Sequence, residues 1–317
     1  MIDRTTRLRW RRRIRRSQRQ VEDIGYQAED HLEKHLFKRL HRLFDVSRFV
    51  ISWIFLLLLL SGAVVVQIKA LGNFHQQLQP AAGGTFTEGI VGNFTNANPV
   101  YATGAVDTSV SRLVFAGLLK NDANNKLVND MAERWVVDES NKVYTVTLKP
   151  NLKWHDGHPL TSEDVVFTFQ TIQNPDAKSP LFHSWRGVAV KLVDARTVTF
   201  TLPTPLAPFV HSLTTGIIPK HKLRNIEPSQ LRASPFNNNY PIGSGPFMWD
   251  KLEIINNESN NHQQYIGLKS FDGYIRGAPK IKQFVIKTFN DRSQMVEGFK
   301  NQQVNAVVGL ENITEEL

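Results

Sequence analysis

The 317-residue chain contains no cysteine. That excludes a disulfide, a thiol nucleophile, a thiolate metal site and a lipid-modified cysteine as membrane anchor. No P-loop and no dinucleotide-binding glycine fingerprint occurs. Gly243-Ser244-Gly245 lacks the Gly-x-Ser-x-Gly spacing of a nucleophile elbow. No nucleophile–base constellation emerges, so an enzyme is not expected. His31 and His35 stand four apart on a predicted helix, but no His-Glu-x-x-His order and no third ligand accompany them. They read as a solvated helix face, and no metal or cofactor is expected. No internal repeat is visible.

Charge is missing from most of the chain's balance and from one stretch altogether. Residues 1–48 hold 14 Lys+Arg against 7 Asp+Glu, a balance of +7. Residues 67–317 hold 24 against 22, a balance of +2, and residues 49–66 hold none. The sequence pI of about 9.7 is therefore a property of the N-terminal arm. The remainder shows no basic stripe, and no nucleic-acid partner is expected.

What is present begins with nine arginines between Arg4 and Arg19. Such a run reads as a solvated tail or as an arm drawn to anionic lipid headgroups, with RNA binding a weaker third reading because Trp10 is its only aromatic for stacking. Val21, Ile24, Ala28, Leu32, Leu36, Leu40 and Leu43 follow at steps of three and four, which predicts an amphipathic helix. It could lie on a membrane surface or pair with a partner helix. Phe49–Val66 then runs without charge. At helical rise it spans ~27 Å, close to a hydrocarbon core of ~30 Å. Ile68 to Leu71 extend it if Lys69 snorkels. The long preceding segment and the bulky Ile68-Lys69-Ala70 disfavour a cleaved signal peptide. An uncleaved signal anchor is expected. The basic excess before it places the N-terminus in the cytoplasm and the rest outside the cell. The expected organisation is a cytoplasmic arm over 1–48, a transmembrane anchor over 49–71, a tether over 72–84 and a folded region over 85–317.

The folded region reads as alternating strands and helices. Period two predicts strands at Thr85–Val91, Val143–Leu148, Gln264–Leu268 and Ile281–Phe289. Val188–Val193 and Thr197–Leu202 read as a hairpin around Asp194-Ala195-Arg196. Val110, Leu113, Val114 and Leu118 predict a helix stopping before Asn121-Asp122. Thr161 and Asp164 form a capping-box pattern ahead of Val165, Val166, Phe169 and Ile172. Asp291 caps a second helix with Gln294 three residues on. Asp156-Gly157 predicts a tight turn. Trp154 and Trp135 read as core. Lys178–Arg186 reads as a loop, Leu206–Leu213 as a short helix and Arg224–Asn239 as loop-rich. Asn93-Phe94-Thr95, Asn257-Glu258-Ser259 and Asn312-Ile313-Thr314 fit the glycosylation triplet, a frequent chance match.

Several of these residues recur together in one known family. Lys153, Trp154, Asp156, Gly157, Pro159, Leu160, Thr161, Asp164 and Val165 fit Lys-Trp-x-Asp-Gly-x-Pro-Leu-Thr-x-x-Asp-Val. This resembles the signature of the family 5 solute-binding proteins, the dipeptide and oligopeptide receptors of ABC importers. Phe115, Gly117, Leu118 and Leu119 resemble the family's first helix ending. Ala132-Glu133-Arg134-Trp135 is similar to its Ala-Glu-Ser-Trp element, Gly216–Lys220 to its return toward the first lobe, and Gly243–Phe247 to its Gly-Thr-Gly-Pro-Tyr turn. Gln302 and Asn305 depart from the usual Ser-Gly-Glu-x-Asp at glycine and aspartate.

The resemblance covers about Thr85–Leu317, the N-terminal portion of the family fold, which suggests a fragment. It implies an α/β, periplasmic-binding-protein-like two-lobe fold, type II and cluster C-like, incomplete at the C-terminus. A basic amphipathic helix and one transmembrane helix would precede it. It implies capture of a peptide or other small solute, handed to an ABC permease and ATPase complex, with lipids contacted by the basic arm. Nickel, haem and sugar specificities also occur in the family. By position, Asn93, Phe94, Thr95, Leu181, Gly243, Ser244 and Gly245 would face the ligand. Leu181 stands where some oligopeptide receptors carry tyrosine. The alternative to an importer component is a membrane-bound sensor or scaffold on the same fold.

Overall fold

The computed structural model describes residues 47–75, 81–257 and 261–310. The basic arm, the predicted amphipathic helix with His31 and His35, and Asn312-Ile313-Thr314 lie outside them. The chain divides into two compact units, Met1–Gln79 and Pro80–Leu317.

In the first unit, helix α1 spans Ser47–His75. Within it Phe49–Ala70 is long and apolar enough to cross a membrane, and none of it is buried. The helix continues through residues 72–75, which composition had assigned to the tether.

The second unit begins with strand β1, Thr85–Val91, and helix α2, Ala105–Val114. Short strands β2, Leu119–Asn121, and β3, Leu127–Asn129, pair with each other. Strands β4, Ala132–Val137, and β5, Val143–Leu148, lead to helix α3, Ser162–Gln173. A one-turn helix α4, Phe182–Trp185, precedes the hairpin β6, Ala189–Asp194, and β7, Thr197–Thr201. Three further single turns follow: α5, Phe209–Ser212; α6, Lys220–Leu223; and α7, Pro228–Leu231. The unit closes with β8, Phe247–Asn257, β9, Asn261–Ser270, β10, Gln283–Phe289, helix α8, Arg292–Lys300, and β11, Ala306–Val308.

Two sheets organise these elements. The first has strand order β11-β1-β10-β9-β8, with β1 parallel to both neighbours and the β10–β9 and β9–β8 pairs antiparallel. The second is antiparallel, in order β4-β5-β7-β6. Strand β5 shows why alternation makes a half-buried strand: Tyr144, Val146 and Leu148 are buried while Val143, Thr145 and Thr147 are half-buried. Helix α3 buries Val165, Phe169 and Ile172, its predicted apolar stripe. A capping box starts it, with Asp164 Oδ2 accepting the Thr161 N–H at 3.0 Å. The Phe169 ring packs at 4.0 Å from Trp185 and 5.2 Å from Phe200, in the heart of the core.

Four local expectations change. The first helix ends at Val114, and Leu118 lies beyond it in extended chain. Gly117 bridges Gly216 there, and a Cβ on Gly117 would stand 2.6 Å from the Thr214 carbonyl oxygen. The stretch Lys178–Arg186 is not all loop, because α4 buries Trp185. The helix predicted over Leu206–Leu213 shortens to α5. Trp135 is half-buried rather than core, its ring stacked 6.4 Å from Tyr144.

Candidate ligand-binding site

Strands β1, β10 and β11 run parallel, with Val91 beside Phe289 and Ile90 beside Val308. Their chains therefore leave the sheet at one end, through Gly92, Asn290 and Gly309. In open α/β sheets, ligands bind outside the carboxyl ends of the parallel strands. The loop 92–95 sits at this end.

Its backbone is held almost residue by residue. Gly92 adopts φ +123°, which glycine alone tolerates well, and its N–H donates to the Phe289 carbonyl at 2.9 Å. The Phe94 N–H donates to Gln264 Oε1 at 2.6 Å, and Gln264 Nε2 returns a bond to the Phe94 carbonyl at 3.2 Å. Gln264 thus acts on Phe94 as a neighbouring strand would. The Phe94 side chain is buried, its ring 5.5 Å from Trp249. Asp107, in the first turn of α2, takes the Thr95 N–H and hydroxyl, both at 2.7 Å, and the Asn96 N–H at 3.1 Å. A carboxylate there also suits the helix dipole. Asn93 is the exception. It is exposed, and among the described residues its backbone N–H and carbonyl have no partner.

Leu181 is half-buried, packed against the core as the N-cap of α4. Its N–H donates to Ser179 Oγ at 3.2 Å, and Ser179 Oγ donates to the Val100 carbonyl at 2.7 Å. The Leu181 segment is thereby tied to the turn downstream of the first loop.

Gly243, Ser244 and Gly245 are all buried, and they form a backbone-on-backbone joint. A Cβ on Gly243 would lie 1.8 Å from the Val114 carbonyl oxygen, and one on Gly245 would lie 2.5 Å from that of Leu113. The Gly245 N–H donates to Val114 at 2.8 Å. Ser244 Oγ lies 3.7 Å from Met131 Sδ. His155 clamps the joint from the other side. Its N–H donates to the Gly243 carbonyl at 2.8 Å, its Nδ1 accepts the Gly243 N–H at 3.2 Å, and its Nε2 reaches the Gly245 carbonyl at 3.0 Å. These partners make Nε2 the protonated nitrogen. Burial outweighs the Gly245 bond and pushes its pKa down to about 4.

Helix α2 relates the two glycine-rich segments. Asp107 in its first turn holds 92–95 and Val114 at its end holds 243–245, about 10 Å apart along the axis. The structure thus ties the Leu181 segment to Val100, five residues beyond Thr95, and sets 243–245 at the end of the helix away from Asp107. Sequence reading had passed over Asp107, Gln264 and His155. An acid in the first turn after a loop was a usable signal for Asp107. Gln264, 170 residues from Phe94, had none.

The family model of bacterial extracellular solute-binding proteins, family 5, matches residues 126–316, more than half of the chain. The chain belongs to that family. Among family 5 relatives, the oligopeptide-binding protein AppA of Bacillus subtilis is 28% identical over 230 residues, covering 72% of this chain and 41% of AppA. The glutathione-binding protein GsiB of Salmonella typhi is 26% identical over 204 residues, covering 63% of this chain and 37% of GsiB. The structure of AppA in complex with a nonapeptide is similar with a TM-score of 0.65 at 27% identity, covering 72% of this chain and 44% of that one. NikZ of Campylobacter jejuni, in complex with Ni(L-His), gives a TM-score of 0.62 at 28% identity, covering 70% and 43%. The fold is that of the periplasmic binding proteins. The chain spans about two fifths of the length of these curated relatives.

Proposed function

We propose that this family 5 chain is the membrane-anchored, extracytoplasmic substrate-binding component of an ABC importer, and that its ligands are peptides. Asn93 carries the reading. At the carboxyl end of the parallel strands it offers a backbone N–H and carbonyl without partners among the described residues, while the N–H groups of Gly92, Phe94, Thr95 and Asn96 are all engaged. An extended peptide bonds to such main-chain groups whatever its side chains are. Water between side chain and wall then accommodates variety. The structure of AppA in complex with a nonapeptide supports peptides as the ligand class. Delivery would be to a permease and its ATPase, with α1 keeping the receptor at the membrane.

The 92–95 loop supplies one wall of a site, whereas good small-molecule sites bury most of the ligand. Weak binding by these residues alone is therefore expected. Hydrogen–deuterium exchange on the 317-residue chain suits weak ligands. A saturating pool of di- to pentapeptides should slow exchange across 92–95, and the same concentration of free amino acids should not. Equal protection by both pools, or none by either, would sink the peptide reading. The importer reading fails separately if deleting the gene leaves uptake of labelled peptides unchanged.

A further inference from the structure

The turn after Trp154 and the single turn α6 meet at a cluster the ligand site does not use. Asp156 Oδ2 lies 2.9 Å from His221 Nε2, and Asp156 Oδ1 lies 3.3 Å from His158 Nδ1. The two imidazoles stack at 4.5 Å with an interplanar angle of 18°. One nitrogen of each ring and a carboxylate oxygen all fall within 4.8 Å of one another. We propose that Asp156, His158 and His221 bind a divalent first-row transition ion of the zinc type.

The donor set favours that class of ion. Two imidazoles and one carboxylate suit zinc and its neighbours, whereas magnesium and calcium require mainly oxygen. Three protein ligands leave a fourth position for water, as in open zinc sites.

The backbones carrying the ligands are fixed before any ion arrives. Gly157 turns at φ +84°. The Gly157 N–H donates to the Trp154 carbonyl and the Trp154 N–H to the His158 carbonyl, each at 2.9 Å. Turn α6 hangs on the capped helix: the Lys220 N–H donates to Asp164 Oδ1 at 3.0 Å, and Lys220 Nζ pairs with Glu163 at 2.9 Å. Trp154 walls one side, its ring 6.2 Å from that of His221. Asp156 and His221 come from sites 65 residues apart, so no local spacing announced the set.

The other charged groups nearby do not close the site. Lys222 Nζ lies 3.1 Å from Asp156 Oδ2 and is the competitor an ion must displace. Its side chain is 38% exposed and can swing to water. Glu163 is engaged by Lys220, Asp164 by backbone N–H groups, and His155 by Gly243 and Gly245. His158, 59% exposed, and His221, 25% exposed, leave a path for the ion.

Calorimetric titration of the 317-residue chain in detergent with ZnCl2 should show one site that MgCl2 does not fill. His158→Ala and His221→Ala should each weaken it at least about tenfold. Cobalt should give visible d–d bands in the wild type that vanish in the double variant. The exposure of His158 makes its variant safe for folding, so it reports on binding even if His221→Ala unfolds. No zinc uptake by the wild type, or an unchanged isotherm in His158→Ala, would overturn the site.

Discussion

Trp154 is fully buried in the main core, between the signature turn and α3. Removing so large an aromatic leaves a cavity that the packed surroundings cannot fill. Trp154→Ala should therefore cost ~3–5 kcal/mol in denaturant unfolding. Unchanged stability with lost ligand affinity would make it a ligand platform instead. Its neighbour His155 predicts a pH dependence. The folded imidazole has its pKa lowered from 6.5 to about 4 by burial, so the unfolded chain takes up a proton first on acidification. The stabilisation is complete above pH 6.5, falls as pH drops toward 4, and amounts to ~3 kcal/mol in total. Unfolding curves for His155→Gln across that window should lose this slope; wild-type and variant curves of equal slope would refute it.

Hydrogen bonds between elements decide the shape of the candidate loop. Gln264 on β9 holds both backbone groups of Phe94. Gln264→Ala should leave a buried N–H unpaired, cost ~1–3 kcal/mol, and speed amide exchange at Phe94 before the rest of β1 opens. Exchange at Phe94 unchanged by the substitution would show the loop is held by Asp107 alone. What the sequence made legible at this scale was local. Alternation exposed β5, and side-chain caps exposed the starts of α3 and α8, where Asp291 Oδ1 accepts the Gln294 N–H at 2.9 Å. Strand β8 was not predicted, because a register shift between Trp249 and Lys251 breaks its parity against β9. The end of α2 was overrun because Val110, Val114 and Leu118 keep helical spacing. Only the distant partners Gly216 and Gly245 show that the chain must straighten. For the same reason the signature residues were readable as a turn and cap, while the contacts made by Gln264 and His221 were not.

At the scale of the whole molecule, the distribution of charge bears on which side of a membrane each part occupies. Residues 1–48 carry +7, residues 67–317 carry +2, and the apolar run between them carries none. Basic residues close to a span are retained on the cytoplasmic side, whereas a long following region crosses largely regardless of its charge. Residues 80–317 would then fold outside the cell, where a receptor for imported solutes must meet them. Anionic lipids on the inner leaflet would hold the arginines, at ~1 kcal/mol for each basic residue near the surface. We therefore expect protease added to intact cells, or to spheroplasts where an outer membrane intervenes, to digest the region after α1. A tag fused ahead of Arg4 should survive until detergent is added. A tag lost from intact cells would invert the topology and remove the physical basis for a role in uptake, since the 92–95 loop would face the cytoplasm.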